Sequence, residues 1–334
     1  MVDFTWKIQT RTGHVAAGNH LAEFLIGGCA MIPPLADIVE MPTAVTLVSG
    51  KDARNHLNRM LTVDVSNDSI LSRKESFICD LNGRITTYQL HVDLGEQILL
   101  LHNHSMSEIL RKTLTSGIPW NETIEISSGD GVVHRILIYG KKPEKILGEL
   151  GINQSELHTE HWTEFLNSMI SVIKIEDEFS IYEMVIASRD YSKITDLLKN
   201  NGAGIGEVNS AMAILSIAGT IDYSVDVSGY IPFNLGLGRL VDLKKGCYPG
   251  QEIHARMESR GGIKKSTSTF KTKMQMRLGK TKSTNKERLE IISSQQFGES
   301  WFNLLIHPRD ISLSSEIFVN TPEGEITLRA FDFI

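Results

Sequence analysis

The chain is poor in cysteine and aromatic residues, carries little excess charge and has no long apolar run. Its three cysteines, Cys29, Cys79 and Cys247, stand far apart in 334 residues, with no Cys-x-x-Cys and no Cys/His ligand spacing. This pattern excludes a disulfide scaffold and a zinc finger, and an odd, low count fits a reducing compartment. A net charge of −6 argues against a general nucleic-acid or anionic-membrane surface. The opening residues MVDFTWKIQTRTGH lack the apolar core of a signal peptide. The apolar stretch Leu21–Leu35 is broken by Glu23 and Pro33-Pro34 well short of a membrane span. The expectation is a cytoplasmic protein with no membrane partner, for which nucleic acid is disfavoured. Also missing are Gly-x-Ser-x-Gly, His-Glu-x-x-His, a P-loop, and a Gly-x-Gly-x-x-Gly opening a helix after a strand. No metal site is expected.

What is present is an ordinary globular composition, 41% hydrophobic and 22% charged, in a chain long enough for two or three domains. Residues 44–50 read as a strand ending in Gly50, and 51–61 as a helix with Ala53, Leu57, Met60 and Leu61 on one face. The phrase recurs as a strand over 135–140 and a helix over 141–150 with proline in its first turn. Asn82-Gly83 marks a hairpin between strands over 75–81 and 84–92. Further strands are predicted over 96–101, 121–127, 131–139 and 179–187, and helices over 105–115 and 190–200. Strands and helices mixed with antiparallel hairpins give an α+β class. Residues 266–288 are rich in Lys, Thr and Ser, and the basic stretch 271–287 within them reads as a solvated linker or loop, with a nucleic-acid or partner contact as the alternative. Short strands over 289–293, 301–306, 315–319 and 325–333 suggest a small β-barrel.

The densest group of special residues is 244–260, KKGCYPGQEIHARMESR. Cys247 sits between Gly246 and Tyr248, Pro249-Gly250 marks a turn, and Lys244 and Lys245 are placed where a cation favours a thiolate. Gln251 to Glu258 reads as a short helix or an ordered strand exit.

KGCYPGQE (245–252) resembles the signature of the YgfZ family of folate-binding proteins, relatives of the glycine cleavage T-protein, the aminomethyltransferase. VSGKDARNHLNRMLTVDV (48–65), LNGRITTY (81–88), IYEMVI (181–186) and LSIAGTIDYSVDVSGYIPFNLGL (215–237) resemble further family segments in the same order. The resemblance implies a three-domain T-protein-like cloverleaf around a central folate channel, with a C-terminal β-barrel. The expected division is an α+β domain over 1–140, with part of 205–265 as an open addition, a ferredoxin-like α+β domain over 141–265, and a barrel over 266–334.

The implied cofactor is tetrahydrofolate or a one-carbon derivative. The implied role is an accessory one in iron–sulfur cluster assembly or repair, with client or assembly proteins as partners. Alternatives are a folate-dependent aminomethyl or other one-carbon transferase, and a scaffold of the same fold without folate. Cys247 is the candidate reactive residue, as thiolate, transient ligand or redox site, or else a packing residue of the loop. Glu183, in an apolar strand, is the candidate to accept the paired donors of a pterin, against a strand-edge glutamate facing water. Lys245, Tyr248, Gln251 and Glu252 are candidates to orient the loop or contact folate. Arg84, Arg256 and Arg260 are candidates for its carboxylate tail. Tyr88 is counted with the folate-binding set, but it stands where T-proteins carry an aspartate that assists aminomethyl transfer, and Ser216 stands where they carry an arginine. A tyrosine is neutral at pH 7, so the transferase reading is weakened.

Overall fold

The structure is a computed structural model describing residues 32–33, 35–177, 179–259, 261–311, 316–321 and 324–331. The opening segment, Cys29, Arg260 and all of Leu21–Leu35 but Ile32, Pro33 and Leu35 lie outside the described residues.

In chain order the first elements are β1 (Ala36–Glu40), β2 (Ala44–Ser49), α1 (Ala53–Met60), β3 (Arg73–Cys79), β4 (Ile85–Asp93) and β5 (Gln97–His102). Next come α2 (Ser107–Ser116), β6 (Glu125–Ser128), β7 (Val133–Gly140), α3 (Pro143–Glu149), β8 (Thr163–Phe165), β9 (Ser168–Ile175) and β10 (Ser180–Ala187). Then follow α4 (Tyr191–Asn200), β11 (Ala203–Ile205), α5 (Val208–Ile217) and α6 (Gln251–Ser259). The last are β12 (Lys265–Thr272), β13 (Gly279–Lys282), β14 (Arg288–Phe297), β15 (Ser300–Pro308), β16 (Ile317–Thr321) and β17 (Gly324–Phe331).

The first sheet runs β3-β4-β5-β2-β6 and is antiparallel throughout. Ala53 and Leu57 of α1 and Leu110 and Leu114 of α2, spaced one helical turn apart, cover one face. The second sheet runs β11-β1-β7-β10-β9-β8, with β1 and β11 parallel and the other pairs antiparallel. It takes β1 and β7 from before residue 140 and β8 to β11 from after it, so strand pairing runs across that position. Helices α3 and α4 bury Ile146, Leu147, Ile194 and Leu198 against it, and α5, buried from Ala211 to Ile217, packs on its other face.

The third sheet runs β13-β14-β15-β12-β17-β16, and a bridge from Ser283 to Val319 brings its two outer strands together into a nearly closed barrel. Here the linker reading of 271–287 is corrected: β12, which ends at Thr272, lies inside this sheet and β13 forms one of its outer strands. Polar residues fill β12 because their hydroxyls are satisfied internally. Buried Thr269 donates to the Ser216 carbonyl at 2.6 Å, and Thr272 accepts from Asn303 at 2.9 Å, while Phe270 enters the barrel core. A hydroxyl so paired costs little to bury.

One apolar core draws on all three sheets. Tyr88 and Leu90 of the first, Val185 of the second and Leu304 and Ile306 of the barrel share it with Ile221, Tyr223 and Leu237 of the segment after α5.

Candidate functional site

The Cys247 loop is pinned at three places. At its start, Thr62 donates to the Leu240 carbonyl at 2.7 Å, and Asp242 accepts from the backbone N–H of Lys244 and Lys245. Next, the Lys245 ammonium donates to the carbonyls of Asn58, Leu61 and Val63 at the C-terminal end of α1 and lies 5.5 Å from the Tyr248 ring centre. A helix C-terminus leaves carbonyls unpaired and carries partial negative charge, so a lysine there caps it. Burial lowers Lys245 to about 8, with Asp64 and Asp242 acting in the opposite direction. At neutral pH it is therefore an ammonium with its three donors in use. The expectation that this lysine serves the thiol is corrected, because its charge serves the helix end.

The third pin joins the loop to the Asn82-Gly83 turn. Gly250 has φ +83°, and a Cβ there would lie 2.5 Å from the Asp80 carbonyl oxygen and 2.6 Å from the Gly83 Cα. Two turns thus meet backbone to backbone, which only glycine allows. His254, fully buried on α6, makes a 2.8 Å bond from Nε2 to the Gly83 carbonyl and a 3.1 Å bond at Nδ1 with the Tyr248 hydroxyl. A neutral ring with its proton on Nε2 satisfies both partners, and burial lowers its pKa in keeping. Sequence reasoning missed His254. The only signal was its place one helical turn past Gly250, on the side of α6 that faces the loop.

The remaining loop candidates are less buried. Gln251 reaches the Leu243 and Lys245 carbonyls at 3.4 Å, Glu252 and Arg256 are an exposed ion pair, and Arg84 donates to the Gly229 carbonyl at 2.7 Å. Cys247 is a free, exposed thiol, whereas Cys79 is buried and raised to about 12, chiefly by burial. Among the described residues no group of three His, Cys, Asp or Glu could hold a metal ion, and no helix is long and apolar enough to cross a membrane.

Glu183 occupies a different setting. It lies on β10, between β7 and β9, and is wholly buried, so the edge-strand alternative is corrected. Its Oε2 accepts from Arg73 Nη2 at 2.7 Å and Nε at 3.2 Å, and its Oε1 from Arg135 Nε at 2.5 Å and the Tyr223 hydroxyl at 2.8 Å. A carboxylate has about four acceptor positions, and the chain itself fills them all. Burial alone would raise Glu183, but Arg135 and Arg73 outweigh it and hold the carboxyl near 2. Arg135 also forks onto Asp222 and sits 4.2 Å from the Tyr223 ring centre. Tyr88, buried on β4, donates its hydroxyl proton to Glu75 at 2.5 Å, and its hydroxyl oxygen lies 3.1 Å from the Ile221 carbonyl oxygen. Glu75 lies 3.6 Å from Arg73. Tyr88 and Glu183 therefore belong to one ionic network joining β3 and β4 of the first sheet to β7 and β10 of the second.

Sequence reasoning missed Arg73, Arg135, Asp222 and Tyr223. One signal was available: Arg135 in RILIYG is as out of place in an apolar strand as Glu183 in IYEMVI, and opposite charges buried on neighbouring strands pair.

Comparison with known proteins bears on this arrangement. No family model matches the sequence. The chain is 26% identical over 225 residues to the tRNA-modifying protein YgfZ of Buchnera aphidicola subsp. Baizongia pistaciae (strain Bp), a match covering 63% of this chain and 65% of that one. The fold matches the glycine cleavage system aminomethyltransferase T of Bartonella henselae with a TM-score of 0.73, at 15% identity, over 90% of this chain and 86% of that one. The chain is thus similar to YgfZ in sequence and to aminomethyltransferase T in fold. It spans just under two thirds of its curated relative's length, and at this identity the structural likeness speaks for the fold alone. Tyr88 and Tyr223 of the Glu183 network enter the core shared by the three sheets, and Tyr248 is buried beneath the Cys247 loop.

Proposed function

We propose that the chain is a tetrahydrofolate-binding accessory protein of the YgfZ type, acting in iron–sulfur cluster assembly or repair, with folate held in a central channel between three domains. The carrying observation is the Cys247 loop. Lys245, Gly250, Tyr248 and His254 are all engaged within the fold, and the Cys247 thiol is left exposed. That arrangement supports presentation of a sulfur to a partner. A single thiolate does not hold a cluster alone, since four ligands are usual, so client or assembly proteins supply the rest.

The residues near Glu183 fit a pterin in kind. They include a carboxylate acceptor, a flat indole at Trp162, and the Trp162 Nε1–H, a buried donor with no hydrogen-bond partner. Bound folate would supply a one-carbon carrier. The chain's part would be to accept the pterin's donors and keep water out.

Two features favour this reading over aminomethyl transfer. Burial, followed by the Glu75 carboxylate, raises the Tyr88 hydroxyl well above its ordinary value, so it stays a neutral donor. The Ser216 hydroxyl donates to the Met212 carbonyl at 3.0 Å, in place of a guanidinium. The boundaries expected near residues 140 and 265 belong to the same proposal, with β1 and β7 joining the second unit.

The test is titration with tetrahydrofolate and 5-formyltetrahydrofolate, paired with an iron–sulfur-dependent assay. The wild type is expected to bind, and Cys247→Ala to bind equally well but lose support of the assay. Absence of binding by the wild type favours the folate-free scaffold, and aminomethyl transfer from a lipoyl carrier favours the transferase.

A further inference from the structure

The Arg73 side chain is sandwiched in an unusual way. Its guanidinium carbon lies 5.5 Å from the Trp162 ring centre, and its Nε and Nη2 both donate to Oε2 of Glu183. All three residues are buried, and Trp162 carries the unpartnered Nε1–H. The 2-amino-4-oxopyrimidine edge of a pterin contains the same unit, a planar carbon bonded to three nitrogens, with adjacent N–H donors and a face that stacks on an aromatic ring.

The geometry points to the space between Trp162 and Glu183 as a binding slot for guanidine-like planar edges, which Arg73 fills as an internal stand-in for the ligand. This rests on the folate reading proposed above and adds that the pterin binds by displacing Arg73.

Arg73 is the group able to leave. Arg135 is held by Asp222 through both terminal nitrogens and covered by Tyr223. Arg73 touches Thr159 O at 3.3 Å and stands only 3.6 Å from Glu75 Oε1. Glu75 accepts the Tyr88 hydroxyl on its other oxygen, so Oε1 is a second carboxylate position within a small swing. The displaced guanidinium would keep a buried counter-charge, which makes the exchange feasible where outright loss of an ion pair is not. Departure of Arg73 frees both acceptor positions on Oε2, the number a pterin's paired donors need.

The test is binding of 5-formyltetrahydrofolate to the full-length wild type, Arg73→Ala and Glu75→Gln, each with and without a few millimolar guanidinium chloride. Removing an internal competitor raises apparent affinity by the inverse of the open fraction. Arg73→Ala is expected to bind about tenfold tighter or more. Guanidinium should compete with the folate in that variant and raise its melting temperature, and do neither in the wild type. Glu75→Gln, which removes the second position, should bind several-fold more weakly than the wild type. Should Arg73→Ala not fold, Arg73→Lys keeps the charge without the guanidine unit and is likewise expected to bind more tightly than the wild type. Wild-type binding with equal or weaker binding by the Arg73 variants overturns the slot and leaves the folate reading standing. Absence of binding by every form overturns the folate reading and the slot with it.

Discussion

The Cys247 loop and the Glu183 network handle polar groups in opposite ways. In the loop, lysine, tyrosine and histidine are turned onto the chain's own backbone and onto one another, and one reactive atom is left facing out. In the network, two arginines, three carboxylates and two tyrosines are turned on one another in the interior, with the half-exposed Arg239 at its edge 3.8 Å from Glu75. The loop is therefore a frame whose tip is free to change, whereas the network is a closed set in which each charge depends on its partners.

The largest expected effect tests that dependence. Arg135→Ala leaves Glu183 and Asp222 short of a counter-charge in the interior. Loss of one partner of a buried pair costs about 3–5 kcal/mol, so a collapse of the thermal transition is expected. A melting temperature within a few degrees of wild type would mean the network is not closed.

Acid comes next. Glu183 stands near 2 when folded against an ordinary 4.5, so its contribution is complete above pH 4.5 and is lost as pH falls towards 2. The difference corresponds to about 3 kcal/mol. Urea midpoints should fall across this window, and Glu183→Gln should flatten the decline.

The frame is tested at its glycines. Gly250→Ala forces a Cβ into Asp80 and Gly83 at a positive φ, costing about 1–3 kcal/mol. Gly246→Ala, where a Cβ meets nothing within 4 Å, should be neutral. Equal midpoints for the two would mean the turns do not bear on one another.

The smallest effect is at the tip. Cys247→Ser should change stability by no more than about 0.5 kcal/mol. In the folded wild type a thiol reagent should label Cys247 and leave Cys79 protected until unfolding, as mass spectrometry of the labelled peptides would record.

Local pattern carried much of the fold. The hairpin at Asn82-Gly83, the helices at 53–60 and 191–200, and the late barrel strands all follow from periodicity and turn chemistry. The signature loop was legible because its residue types are rare in combination. Strand β12 was not, since a threonine looks solvated until the carbonyl that accepts from it is known. Short β8 and β11 lacked a pattern long enough to read.

The sequence alone determined the α+β character, the resemblance carried by 245–252, and the presence of misfit charges such as Glu183 in apolar strands. Only the tertiary structure decided what those charges do. Glu183 and Arg73 are separated by more than a hundred residues and lie on different sheets. A charge's role depends on what surrounds it within a few ångströms, and chain folding alone sets that neighbourhood. For the same reason Lys245, two residues from Cys247 in sequence, serves the end of α1, while Cys247 is left exposed.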